Sequence, residues 1–371
     1  MIDYLSRRQK MYDAMAREGI ALLVIEDTEG RRDPALRWFC GHPQDALLYL
    51  SVDKKSLLVP WDINMALLYA NVDMTVPYRE FERQPVSAAK GVAEKLKIPL
   101  GSKIEIPPVT PYPLFLDYVG ALTDYDIICR DTGLHGEIEK LRAVKDEEEI
   151  RIYRKAAEIT NDVIALLEKN VRSGRIRTEV DAALFIESAS RKRGCEGAGF
   201  TTLAAGPERS FGIHAFPPYT AAPFAGKGLS ILDFGLKYAG YTTDVTLTFV
   251  RDPTPAQEKL ITLTEKAYKL ALGLVASGTG TRDIALAVDY LFNKSRKAMP
   301  HALGHGIGLE EHESPPIRSR ADNSWIFCPG MVFTLEPGLY DPIHGGCRLE
   351  NDILLTDSGA EVLTDAAIIR L

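Results

Sequence analysis

The chain has 371 residues, 46% of them hydrophobic and 26% charged, the balance of a soluble globular protein long enough for two domains. Its net charge is -7, with 51 acidic against 44 basic residues, so it carries no electrostatic footprint for nucleic acid. No run approaches the ~18 apolar residues of a membrane span, and the N-terminus lacks the apolar core of a secretory signal. A cytoplasmic protein that does not act at membranes is therefore expected. The cysteines (Cys40, Cys129, Cys195, Cys328 and Cys347) form no Cys-x-x-Cys pair and read as buried thiols, without disulfides or a thiolate metal site.

In chain order, an amphipathic start carrying Leu5, Tyr12 and Met15 leads into a strand-like run at 20–25. Segments 46–52 and 56–59 flank an Asp53-Lys54-Lys55 turn as a hairpin would, and 63–70 returns to a helical period. This first domain reads as α/β and ends where Thr132-Gly133 and Gly136 interrupt the periodicity, giving domains of 1–132 and 133–371. His42 and His135 are isolated and read as structural. A long helix opens on the acids of Asp146-Glu147-Glu148-Glu149, which suit the positive end of a helix, and runs to about 169. Further helices are expected at 178–193, from the capping box Thr254-Pro255-Ala256-Gln257 onward, and at 282–297. Strand-like segments at 200–204, 229–250, 331–340 and 347–356 make the second domain α+β, with a mainly antiparallel sheet.

Carboxylates stand in those apolar strands without a structural reason. Asp233 lies in Ser-Ile-Leu-Asp-Phe-Gly and Asp244 in Tyr-Thr-Thr-Asp-Val-Thr-Leu. A fold-back about Tyr238 and Ala239 would set the two directly opposite, on one face. Glu336 and Glu350 repeat the arrangement. Their even separation needs an odd-numbered loop or a bulge to bring both to one face, for which Gly345 and Gly346 are available. Between these pairs, Gly304-His305-Gly306 and His312 sit in a stretch rich in glycine and histidine, and His214 follows a Gly-Pro turn. Pro315 and Pro316 prevent the helix that a His-Glu-x-x-His zinc site would require. Several buried carboxylates in one place are tolerable only if protons or multivalent cations offset their charge.

Five ordered pieces, Leu232-Asp233-Phe234-Gly235, Tyr241-Thr242-Thr243-Asp244-Val245-Thr246, Gly304-His305-Gly306-Ile307-Gly308, Glu336-Pro337-Gly338 and Arg348-Leu349-Glu350, together resemble the metallopeptidase family of prolidase, aminopeptidase P and methionine aminopeptidase. The resemblance implies a pita-bread catalytic domain, and Leu36-Arg37-Trp38-Phe39-Cys40-Gly41 is similar to part of the creatinase-like N-terminal domain that proline-directed members carry. It implies two divalent metal ions, with Asp244 and Glu350 bridging, Asp233 on one ion, and His305 and Glu336 on the other. Four carboxylates and one imidazole suit manganese, with cobalt, iron and zinc as alternatives. The resemblance further implies that Glu336 moves a proton, that His214 and His312 bind substrate or oxyanion, and that Arg348 orients a carboxylate. The expected activity is removal of a residue before proline from a small peptide, by a homodimer. The alternatives are hydrolysis of another small amide and a non-catalytic binding module. Leu247 and Pro316 stand where many relatives have arginine; the second departure argues against a strict dipeptidase unless Arg318 or Arg320 substitutes.

Overall fold

The computed structural model describes residues 2–371. The chain divides into two compact units, Met1–Leu141 and Arg142–Leu371. The division falls later than the 132/133 boundary read from sequence, because a helix continues through Gly136.

In the first unit, α1 (Tyr4–Glu18) is followed by β1 (Ile20–Asp27), α2 (Ala35–Cys40), the hairpin β2 (Ala46–Ser51) and β3 (Lys55–Pro60), and α3 (Ile63–Tyr69). Then come β4 (Met74–Thr75), α4 (Pro85–Lys95), β5 (Lys103–Ile106), α5 (Tyr112–Ala121), β6 (Asp126–Cys129) and α6 (Leu134–Ala143). The six strands form one mixed sheet in the order β4-β3-β2-β1-β5-β6. Leu22, Val24, Leu47, Tyr49, Leu57 and Val59, two residues apart along each strand, pack with Ala88, Val92 and Tyr118 of α4 and α5. The alternate residues Leu23, Ile25, Leu48 and Leu50 are buried as well, so the strands read as continuous apolar runs rather than as alternating ones.

The second unit opens with α7 (Glu147–Arg172), α8 (Glu179–Arg191), β7 (Gly197–Ala198) and β8 (Leu203–Ala205). There follow β9 (Gly228–Phe234), β10 (Leu236–Tyr238), β11 (Tyr241–Thr242), β12 (Val245–Arg251), α9 (Pro255–Leu274) and α10 (Thr281–Lys294). The chain closes with β13 (Gly304–Gly306), β14 (Glu313–Ile317), β15 (Val332–Leu335), β16 (Gly338–Asp341), β17 (Gly345–Arg348), β18 (Asn351–Thr356), β19 (Gly359–Val362) and β20 (Ile368–Arg370). Capping boxes start α7 at Asp146 and Glu149, α8 at Thr178 and Asp181, and α9 at Thr254 and Gln257. Each satisfies backbone N–H groups that have no partner inside the helix. One apolar core joins the inner faces of these helices, such as Val163, Leu167, Ile186, Ile261 and Val288, to Leu232, Leu247, Phe333 and Ile353 of the strands.

Two antiparallel ladders carry the unit. The first pairs β9 with β12 in a four-stranded sheet of order β20-β12-β9-β8, and the second has the order β14-β13-β15-β18-β19. Thr246 and Glu350 form a bridge between them, with backbone bonds of 3.4 and 3.2 Å.

Candidate metal centre

The register of the first ladder corrects one expectation. Asp233 pairs with Thr246, not with Asp244, because the turn falls on Ala239 and Gly240, both at positive φ (50° and 89°), and not on Tyr238 and Ala239. A two-residue hairpin turn with φ > 0 at both central positions favours glycine and disfavours a bulky aromatic. In this frame Asp244 lies two residues from Thr246, diagonal to Asp233 and on the same face.

In the second ladder Leu335 pairs with Asn351, and Gly338 pairs with Arg348. The same register therefore sets Glu336 against Glu350, where the strands pass from one sheet into the next. Asp341 and Gly345 pair across a three-residue loop, 342–344, and Gly345, where the return strand begins, has φ 81°. His305 enters from β13, whose Gly306 pairs with Phe333. Both flanking glycines are dictated by close approach: a Cβ on Gly304 would strike the Thr334 carbonyl oxygen, and one on Gly306 the Ser314 carbonyl oxygen.

These elements bring Asp244, His305 and Glu350 together, with one potential ligand atom from each lying within 4.8 Å of the others. His305 Nε2 lies 3.7 Å from Asp244 Oδ2 and 3.6 Å from Glu336 Oε1. Asp233 joins through Arg348, whose NH2 group donates to Asp233 Oδ2 at 2.5 Å. The arginine is not a strand-surface cation: it is 1% exposed. Its other protons go to Thr246 Oγ1 (2.9 Å), the Ile213 carbonyl (3.0 Å) and the Tyr340 hydroxyl (2.8 Å). Thr246 Oγ1 in turn donates to Glu350 Oε2 at 2.7 Å, so one guanidinium orients Asp233 directly and Glu350 through a hydroxyl.

The electrostatics follow from burial. Desolvation, then repulsion from Glu350, Asp233, Asp352 and Glu336, pushes the Asp244 carboxyl well above its ordinary range. Desolvation and Glu350 do the same for Glu336, and desolvation with Asp233 raises Glu350 to about 7. Asp233 is also raised by burial, against the opposing charges of Arg348, His214 and His312. Burial lowers His305 to about 3, so its imidazole is neutral, with the proton assigned to Nδ1 by its contact with the Gly306 carbonyl at 3.1 Å. The lone pair of Nε2 then faces carboxylate oxygens, acceptor against acceptor. Asp233 Oδ1, Asp244 Oδ1 and Glu350 Oε1 are buried without a hydrogen-bond partner. Asp244 and Glu350, each with an orphaned oxygen, gathered with the unprotonated ring nitrogen of His305, and Asp233 tied in through Arg348, form a donor set that fits divalent cations.

His312 is exposed, with its ring 4.2 Å from that of His305. His214 lies exposed on the loop between β8 and β9, close enough for its charge to act on Asp233. Arg318 and Arg320 both pair with Asp322, at 3.7 and 3.1 Å. Pro316 pairs with His305 across β13 and β14. Sequence reasoning gave no role to His301, Tyr340 or Asp352. His301 Nε2 lies 3.0 Å from the Tyr340 hydroxyl, which extends the Arg348 network, and Asp352 accepts the backbone N–H of Asp244 at 3.1 Å. The one local signal for His301 was its position four residues before His305.

Residues 151–357 match the model of metallopeptidase family M24. The chain belongs to that family. Members of M24 are peptidases that use divalent metal ions. An uncharacterized peptidase of Methanocaldococcus jannaschii is 32% identical over 62% of the chain and 66% of its own length. One from Bacillus subtilis is 31% identical over 68% and 70%. Among solved structures, a prolidase from Thermococcus sibiricus has a TM-score of 0.84 at 25% identity, covering 100% of both chains. An X-Pro aminopeptidase from Thermotoga maritima gives 0.84 at 25%, over 98% of this chain and 99% of its own. The catalytic architecture is thus the pita-bread fold of prolidase and aminopeptidase P.

Proposed function

We propose that this M24 peptidase is a dinuclear-metal exopeptidase that hydrolyses the bond between an N-terminal residue and proline. The gathering of Asp244 and Glu350, each with an orphaned carboxylate oxygen, around the neutral His305 carries the reading. Asp233, Asp244, His305, Glu336 and Glu350 would hold two divalent ions, manganese by preference. When bound, the ions supply Lewis acidity, which makes water nucleophilic near neutral pH and polarises the scissile carbonyl. Glu336 has a side chain 16% exposed against 7% for Asp244, so its carboxylate is the more accessible to substrate; it takes the proton of the attacking water and passes it to the leaving nitrogen. That nitrogen carries no hydrogen in a prolyl bond, so the site cannot call on an N–H donor there, and the proton that Glu336 relays from the water lets it leave as the secondary amine of proline. His214 and His312, exposed at the edge of the cluster, hydrogen-bond the peptide and the developing oxyanion. Arg348 keeps Asp233 and Glu350 in place.

Pro316, an apolar ring paired with His305, offers no cation for a dipeptide's carboxylate, and Arg318 and Arg320 are engaged with Asp322. The reading therefore favours peptides that continue past proline. Comparing an Xaa-Pro dipeptide with an Xaa-Pro-Xaa tripeptide in added manganese tests it: faster release from the tripeptide is expected. Absence of cleavage of both would reject it.

A further inference from the structure

We infer that Glu179 is a positioning residue for His214, holding the loop that presents this histidine to substrate; the inference rests on the substrate-binding role proposed for His214. Glu179 is the first residue of α8 and is 0% exposed. An acid there would ordinarily serve the helix terminus, but Thr178 and Asp181 already form the capping box of α8. The Glu179 carboxylate is directed wholly at the loop. Oε1 accepts the Gly206 N–H at 2.7 Å, while Oε2 accepts the Thr220 N–H at 2.7 Å and its hydroxyl at 2.6 Å. Arg209 completes the set with an ion pair to Oε2.

Gly206 and Thr220 are the two ends of the segment with His214 near its middle, so one carboxylate closes the loop's base. Backbone bonds of 3.0 Å from Glu179 to Ala222 and from Val180 to Thr220 fix the same end to α8. The loop's apolar anchorage is confined to Tyr219, packed against the main core near its end, and to Ala215. Ala215 packs against Leu203, Ala205 and Ile231, but Phe211 is 47% and Phe216 is 93% exposed. Around His214 the conformation is therefore set largely by polar ties: Glu179 and Arg209 at the base, Ser210 Oγ to the Gly346 N–H at 3.1 Å, and Ile213 O to Arg348 at 3.0 Å. Replacing a buried carboxylate that accepts four donors leaves several of them unsatisfied, and a small displacement of a substrate-orienting group costs rate steeply.

The test uses full-length, manganese-loaded protein and an Xaa-Pro-Xaa tripeptide, with Glu179→Gln, Thr220→Val and His214→Ala made singly and in pairs. His214→Ala is expected to lower kcat/KM roughly 100-fold. Glu179→Gln is expected to lower it about 10-fold and Thr220→Val about threefold at unchanged metal content, with neither adding a further loss in the His214→Ala background. In metal-free protein, Glu179→Gln should speed hydrogen exchange at residues 206–220 while β9 and β12 stay protected. Equal losses from Glu179→Gln in both backgrounds, or none in either, would overturn the positioning role while leaving the reading of His214 intact. Full activity of His214→Ala would instead remove that reading and the inference with it. Should Glu179→Gln not fold, the Thr220→Val cycle decides by the same criteria.

Discussion

In the first unit Arg7 and Arg8 direct guanidinium protons to the carbonyls of Trp38 and Phe39 at 2.9 Å, Asp27 pairs with Arg32 at 3.2 Å, and Glu26 pairs with Arg31. Glu105 is also fully buried there; its Oε1 accepts the Leu134 N–H, and its Oε2, though without a hydrogen bond, faces Arg130 at 3.7 Å. In the second unit Asp233, Asp244, Glu336 and Glu350 cluster beside one buried arginine that hydrogen-bonds only Asp233 among them, and three of these four carboxylates keep an oxygen without a hydrogen-bond partner. Both units bury charge, but only the second gathers several carboxylates that repel one another. Such a cluster costs several kcal/mol in a fold that needs no function from it, which is why the deficit points to chemistry and the balanced pairs point to architecture.

The largest effect that would break this contrast is a substitution among the proposed ligands. Asp244→Ala is expected to lower manganese-dependent turnover by roughly a thousandfold or more, as loss of a central catalytic group does, whereas His42→Ala in the first unit should leave kcat within about twofold. Steady-state kinetics on both variants checks this, and comparable losses would mean that the two units do not differ in role. Next in size is Arg348→Lys. An ammonium cannot reproduce the guanidinium's fork to Asp233, Thr246, Ile213 and Tyr340, and metal affinity measured by competition with a chromophoric chelator should weaken about 10- to 100-fold.

A pH series on chelated protein sharpens the comparison. A carboxyl raised by folding stabilises the fold while protonated and loses that contribution as pH rises through its folded value; Glu350, at about 7, and Asp244 and Glu336, both raised well above their ordinary values, act this way. His305, lowered to about 3 from 6.5, works oppositely, its contribution complete above 6.5 and lost as pH falls. The two oppose each other in acid, but above 6.5 only the carboxyls remain in play. The thermal midpoint of the chelated protein should therefore fall from pH 6.5 toward about 8, and saturating manganese should flatten the slope. The smallest effect is Thr254→Ala, which removes the cap of α9 and should cost about 1 kcal/mol of stability with kcat unchanged, as calorimetry and kinetics together would register.

Much of this was legible because it is local. The capping box at Thr254 and the acidic first turn of α7 are written in adjacent residues, and the parity of Asp233 with Asp244 survives a turn displaced by one residue, since strand faces repeat every two. The even separation of Glu336 and Glu350 called for an odd-numbered loop, and the chain has one. What stayed hidden is non-local. The Thr246–Glu350 bridge joins residues 104 apart and the Arg348–Asp233 bond residues 115 apart, contacts that leave no periodic trace. Strands β13 and β14 were missed because they are short and built of glycine and proline, residues depleted from strands, and Asp352 sits in an apolar segment where nothing marks its bond to the Asp244 backbone.

The most direct test of the central claim is equilibrium metal analysis on chelated and then manganese-reconstituted protein, for the native chain and for Asp244→Ala. The account predicts two ions per native chain, lost together with peptidase activity on chelation, and a much-reduced content in the variant. Full activity in thoroughly chelated protein, or equal metal content in the two chains, would contradict it.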